Sequence, residues 1–235
     1  GNEGSVIRLE GQYIIEGGIF TTTKFRPSTE PGTHRGSFTM TGGTFNATGT
    51  TSNVAYARFS LPFPDQVFIM SGGTINVSNP QATINGGIHI GCNASNYLVT
   101  GGTFNAILSG TAAFFNISST APFWDLNITR TGGTPTTVRL AAIGSVVNTD
   151  QTARPLTVLH DFTIDGTNSP VFNANGLSVA LGNDFTINSG GTYTPSANTT
   201  TFNGTGTQNF ANNGTITSGL YNLTINKTSG VLLFA

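Results

Sequence analysis

The chain repeats itself. Phe38-Thr39-Met40-Thr41-Gly42-Gly43-Thr44-Phe45-Asn46-Ala47 returns as Phe68-Ile69-Met70-Ser71-Gly72-Gly73-Thr74-Ile75-Asn76-Val77, and again as Tyr97-Leu98-Val99-Thr100-Gly101-Gly102-Thr103-Phe104-Asn105-Ala106. The copies begin 30 and then 29 residues apart, at positions 38, 68 and 97. Ile14-Ile15-Glu16-Gly17-Gly18-Ile19-Phe20 is a degenerate earlier copy. A fixed period of this size marks a stacked array, in which no unit buries its apolar face alone and each covers its neighbour.

Within a copy, apolar residues alternate with Thr or Asn, as in Phe38 and Met40, which is the period of a strand with one buried face. Gly-Gly then allows a sharp turn with positive φ. Thr-Phe-Asn opens the next strand and turns its ring back inward. Stacked about 4.8 Å apart, such units close a continuous core. The reading is an all-β parallel β-helix of roughly nine rungs, about 45 Å long. It spans residues 1–235 as one segment, with regular repeats of ~30 residues over 38–110.

The second half, 125–235, carries shorter and less regular rungs. Asp125-Leu126-Asn127-Ile128, Asp161-Phe162-Thr163-Ile164, Asp184-Phe185-Thr186-Ile187 and Asn222-Leu223-Thr224-Ile225 share one layout, with Thr201-Phe202-Asn203-Gly204 as a further strand. Their uneven spacing is expected to reflect insertions on one side of the stack. The predicted core comprises Phe38, Met40, Phe45, Phe68, Met70, Ile75, Val99, Phe104, Phe162, Ile164, Phe185, Ile187, Phe202, Leu223 and Ile225.

Composition agrees. Gly, Thr and Asn supply 94 of 235 residues and charged residues only 8 %, against about 25 % in an ordinary globular chain. Disorder is excluded by 17 Phe and 37 % hydrophobic residues, which can fill a core. An immunoglobulin-type sandwich predicts turns every ~8–12 residues without a recurring motif; the motif favours the helix. The net charge of −1 and the absence of a basic run leave little to attract nucleic acid. No apolar stretch is long enough to span a membrane as a helix. The lone Cys92 rules out an intrachain disulfide and reads as a small buried residue. The chain begins without Met, and Leu232-Leu233-Phe234-Ala235 ends within an apolar strand, so it reads as an excerpt of a longer chain.

No catalytic, cofactor or metal site is expected. Asn148-Thr149-Asp150 matches one element of polygalacturonase-type hydrolases, but their Asp-Asp, Gly-His-Gly and Arg-x-Lys are missing, and glycoside hydrolysis needs two carboxyl groups together. There is no Asp-x-Asp calcium loop, and His34, His89 and His160 show no metal-ligand spacing. Asp161 and Asp184 are expected to stack one rung apart. Each then caps the turn into its strand, with a shared structural cation or a functional site as alternatives. Phe123, Trp124 and the segment Arg58-Phe59-Ser60-Leu61-Pro62-Phe63-Pro64 are candidates for an aromatic sugar-binding groove, Phe123 and Trp124 also for core.

Met40-Thr41-Gly42-Gly43-Thr44-Phe45-Asn46, Thr201-Phe202-Asn203-Gly204-Thr205-Gly206-Thr207-Gln208 and Tyr221-Asn222-Leu223-Thr224-Ile225-Asn226-Lys227-Thr228-Ser229-Gly230 resemble repeat regions of very large surface proteins. These belong to bacteria using the type IX secretion system and include giant adhesins of gliding motility. The resemblance covers most of the chain. It implies a non-catalytic structural or adhesive module, extracellular at the bacterial cell surface. The expected partners are export or display machinery, or flanking chain, covering the C-terminal rung, together with surface glycans. A carbohydrate-binding or polysaccharide-cleaving β-helix is the alternative.

Overall fold

The computed structural model describes residues 6–9, 11–27, 36–49, 57–78, 80, 85–144 and 152–235. They form a parallel β-solenoid of about eight turns with three faces. The chain crosses the faces in a fixed order. One turn runs Ser37–Met40 on the first face, Thr44–Ala47 on the second and Phe59–Leu61 on the third. The next begins at Val67–Ser78, a single strand that bends from the first face to the second. Among the described residues the third face is a nine-stranded sheet from Val6–Leu9 to Thr215–Ile216. The single short 3-10 turn among them is Ala94–Asn96, and no helix is long and apolar enough to cross a membrane.

Parallel register sorts the side chains into columns. On the second face Phe20, Phe45, Ile75, Phe104, Leu126, Phe162, Phe185, Phe210 and Phe234 lie directly over one another. From Phe45 to Phe210 all are buried. On the third face, Phe25 stacks on Phe59 at 5.3 Å and Phe172 on Tyr193 at 5.9 Å. Rings from different faces meet edge-on, as in Phe25 against Phe38 at 5.2 Å and 68°. Parallel stacking along the axis and edge contacts across it fill a triangular core. Each fully buried ring contributes on the order of 1.5–3 kcal/mol.

Thirteen of the fifteen predicted core residues are buried; Leu223 and Ile225 are 41 % and 55 % exposed. The reason is position. Asn222–Ile225 pairs with Thr199–Phe202 on the first face, so Leu223 stands over Thr200 and Ile225 over Phe202, and no described strand lies above them. The shared layout therefore hides two faces: Asn222-Leu223-Thr224-Ile225 does not continue the Phe162 and Phe185 column, which runs through Phe210 and Phe234 instead. Sorted by face, the uneven spacing largely disappears. Successive members from Phe162 to Phe234 are 23, 25 and 24 residues apart. The step from Leu126 to Phe162 holds the one long insertion of this half.

The Gly-Gly pairs do form one column, at the corner between the first and second faces. Positive φ falls on the second glycine of each pair, 76° at Gly43, 81° at Gly73 and 96° at Gly102. The first glycine is needed for a different reason. A Cβ on Gly42 would stand 2.5 Å from the Glu16 carbonyl oxygen one rung below. Successive turns approach so closely at this corner that side chains are excluded.

Polar residues stack on the outside. Asn76 Nδ2 donates to Asn46 Oδ1 at 2.8 Å, Asn105 to Asn76 at 2.7 Å and Asn127 to Asn105 at 2.9 Å. Every amide points its N–H₂ toward the preceding rung, so the ladder is directional, and Asn46 ends it on Thr21 Oγ1 at 3.1 Å. Cys92 is buried, as expected from its neighbours, and burial pushes its thiol up to about 12.

Candidate functional site

Two surface features emerge from this frame. The first is a groove along the corner where the chain enters the first face. Pro62, Phe63 and Pro64 of one rung, Asn93, Ala94 and Tyr97 of the next, and Thr120 and Arg154 beyond enclose an open cavity of about 540 Å³. A smaller hollow of about 180 Å³ continues it past Tyr97 to Pro122 and Pro155. Proline suits this corner because its fixed φ turns the chain without requiring an N–H partner.

Only part of the candidate segment at 58–64 reaches this groove. Phe59–Leu61 is a core strand, and Arg58 is buried, its guanidinium lowered to about 10 by desolvation. Phe63 and Tyr97 supply half-buried rings, and Asn93 an exposed amide. Arg154 donates to Ser118 Oγ at 2.8 Å and to the Thr152 carbonyl at 3.2 Å, which fixes its position at the groove wall. Of the two other aromatic candidates, Phe123 is core, edge-on to Phe104 at 4.9 Å.

The second feature lies at the corner into the second face. Trp124-Asp125-Leu126, His160-Asp161-Phe162, Asn183-Asp184-Phe185 and Gln208-Asn209-Phe210 occupy equivalent positions in four successive rungs. The three aspartates form a column, as expected for Asp161 and Asp184, and Asp125 extends it. Each carboxylate accepts the backbone N–H of its successor: Asp161 N–H to Asp125 Oδ1 at 3.1 Å, Asp184 N–H to Asp161 Oδ1 at 3.2 Å, Asn209 N–H to Asp184 Oδ1 at 2.7 Å. The carboxylates thus cap strand entries between rungs, each such bond being worth about 1.5–3 kcal/mol.

Side chains complete the column. Asn183 Nδ2 donates to Asp161 Oδ1 at 2.7 Å, and Asn209 Nδ2 to Asp184 Oδ2 at 3.0 Å. At the first step a histidine takes the amide's place. His160 Nδ1 lies 2.8 Å from Asp125 Oδ1 and 3.5 Å from Asp161 Oδ2. Its ring is clamped flat against Trp124, with centroids 5.3 Å apart and planes 12° from parallel. The donor atoms of Asp125, His160 and Asp161 lie within 4.8 Å of one another.

Counting histidines by their spacing along the chain does not find this cluster, because Asp125 and His160 are 35 residues apart. Aligning the four copies on Leu126, Phe162, Phe185 and Phe210 does. Among the other histidines, His89 is buried on the third face, while His34 and the run Asn148-Thr149-Asp150 lie outside the described residues. No family model, curated protein or solved structure matches the chain.

Proposed function

We propose that the chain is a structural and adhesive module of a large secreted bacterial surface protein, non-catalytic and exported by type IX secretion. The observation that carries this reading is the second-face column, unbroken from Phe20 to Phe234. A solenoid with one uninterrupted core resists bending and transmits load along its axis, which is what a surface stalk requires. Its Asn ladder and low charge suit an exterior that displays neutral hydrogen-bonding groups. The sequence resemblance to gliding-motility adhesins points the same way. The exposed apolar edge at Asn222–Ile225 and Leu232–Phe234 is the surface on which flanking chain or display machinery would stack.

Antibodies raised against the chain should label intact cells that produce it, and deletion of the type IX translocon should abolish that labelling. Label that appears only after permeabilisation would sink the reading. Beads coated with the chain should adhere to surfaces that uncoated beads release.

The groove at Phe63 and Tyr97 favours a second reading, a carbohydrate-binding β-helix. Aromatic faces beside fixed polar groups suit sugar rings, which present apolar C–H faces and hydroxyl edges. A glycan array probed with and without calcium tests it. Binding lost in Tyr97→Ala, with no release of reducing sugar, assigns recognition without cleavage.

A further inference from the structure

We propose that Asp125, His160 and Asp161 form a binding site for a divalent cation of the zinc class. This goes beyond the stalk reading and does not rest on it. Zinc takes imidazole nitrogen and carboxylate oxygen at about 2.0–2.2 Å, so its tetrahedral ligands stand about 3.3 Å apart. The separations of 2.8 and 3.5 Å from His160 Nδ1 to the two carboxylates bracket that edge. Side-chain rotations of about an ångström would seat three ligands around one ion.

The nitrogen donor distinguishes this cluster from the rest of the acidic column. Calcium takes six to eight oxygens, and two carboxylates with an imidazole are a poor match for it. Imidazole with carboxylate suits zinc and its neighbours in the transition series.

The ligands are already held from behind, as metal ligands are. Asp161 Oδ1 is occupied by Asn183 Nδ2 and the Asp184 N–H, which leaves Oδ2 turned toward His160. Asp125 Oδ2 accepts from Thr103 Oγ1 at 3.4 Å. Trp124 fixes the plane of the imidazole so that Nδ1 points at the carboxylates. The histidine is 40 % exposed and the aspartates 27 % and 43 %, which leaves the cluster open to an ion from solution and to a water or further ligand in the fourth position.

Register supplies the reason for the site. Leu126 pairs with Phe162, which sets Asp125 and Asp161 one rung apart, and two carboxylates at that separation repel. A cation between them and the histidine removes the repulsion.

Trp124 is the only tryptophan in the chain, so its fluorescence reports on the ring it covers. Titrating the metal-stripped 235-residue chain with zinc chloride at neutral pH should change Trp124 emission saturably. Calorimetry should give one ion per chain. His160→Gln and Asp161→Asn should each weaken zinc binding at least tenfold, with far-UV circular dichroism reporting their folds. Should the histidine variant not fold, the nearly isosteric Asp161→Asn decides. Asp184→Asn, one rung further on, should leave affinity within twofold, and calcium should bind at least tenfold more weakly than zinc. Absence of saturable zinc uptake overturns the proposal, as does uptake that survives in both site variants. Loss of binding in Asp184→Asn moves the cation up the column and overturns the ligand set named here.

Discussion

Phe162 lies flat over Phe185, with centroids 4.9 Å apart and ring planes 6° from parallel, although 23 residues separate them. Phe185 in turn carries Phe210 at 5.2 Å and meets Tyr193 edge-on at 5.4 Å. Phe185→Ala should cost about 3–5 kcal/mol, because rungs held by parallel strands on both sides cannot collapse into the space. Phe185→Leu should cost under about 2 kcal/mol, keeping most of the volume and losing the ring contacts. Urea denaturation measures the difference, and amide exchange at residues 162 to 187 locates it. An alanine variant within 1 kcal/mol of the parent would mean that the stack contributes little.

The Asn ladder makes a prediction of order. Asn105 donates to Asn76 and accepts from Asn127. Asn105→Ala strands a half-buried acceptor below and a donor above, while Asn127→Ala removes only the bond to Asn105. The first should cost about 1–3 kcal/mol and roughly twice the second. Equal costs would show that solvent replaces these bonds freely.

Much of this architecture is legible in the sequence, and its limits are physical. Phe38, Phe68 and their Gly-Gly corners recur at nearly constant spacing because those turns lack insertions, so period and column coincide. In the second half, face identity is not encoded in any single motif. Asn222-Leu223-Thr224-Ile225 and Asp184-Phe185-Thr186-Ile187 have the same alternation, and both alternations serve a strand equally well. Only register distinguishes the first face from the second. The pairing of Asp161 with Asp184 follows from the 23-residue step. The meeting of Asp125 with His160 does not, since the 36-residue insertion between Leu126 and Phe162 breaks the period at that rung. Likewise Tyr97 and Phe63 face one groove because consecutive rungs bring their corners together, which no local pattern announces.

Cys92 predicts an alkaline sensitivity. Burial raises its thiol to about 12, and burial also raises the Tyr193 phenol despite its hydrogen bonds to Thr200 and Asn198. In the unfolded chain the thiol ionises near pH 8.5 to 9. Above that pH the folded chain holds a proton that the unfolded chain has released, so stability falls as pH rises. The fall should begin near pH 9 and be shallower in Cys92→Ala, leaving the Tyr193 contribution above about pH 10. Iodoacetamide at pH 8.5 should label Cys92 only in denaturant. Rapid labelling of the folded chain would contradict the burial.

The exposed edge predicts association. Leu223, Ile225, Leu233 and Phe234 are 41 %, 55 %, 48 % and 60 % exposed. Phe234 continues the core column over Phe210, while Ile225 stands over Phe202. These strands present unpaired backbone groups beside inward-facing apolar side chains, the combination that recruits another strand in register. The 235-residue chain should therefore form dimers or larger species that grow with concentration in light scattering. Ile225→Lys with Phe234→Lys should reduce them, because a charge on each column opposes both stacking and burial. The same pair of changes should leave the stability of the Phe162 to Phe185 rungs intact, since neither residue touches them. A monomer at all concentrations, with both strands protected from amide exchange, would mean that the edge is closed by the chain itself and that no partner is needed there.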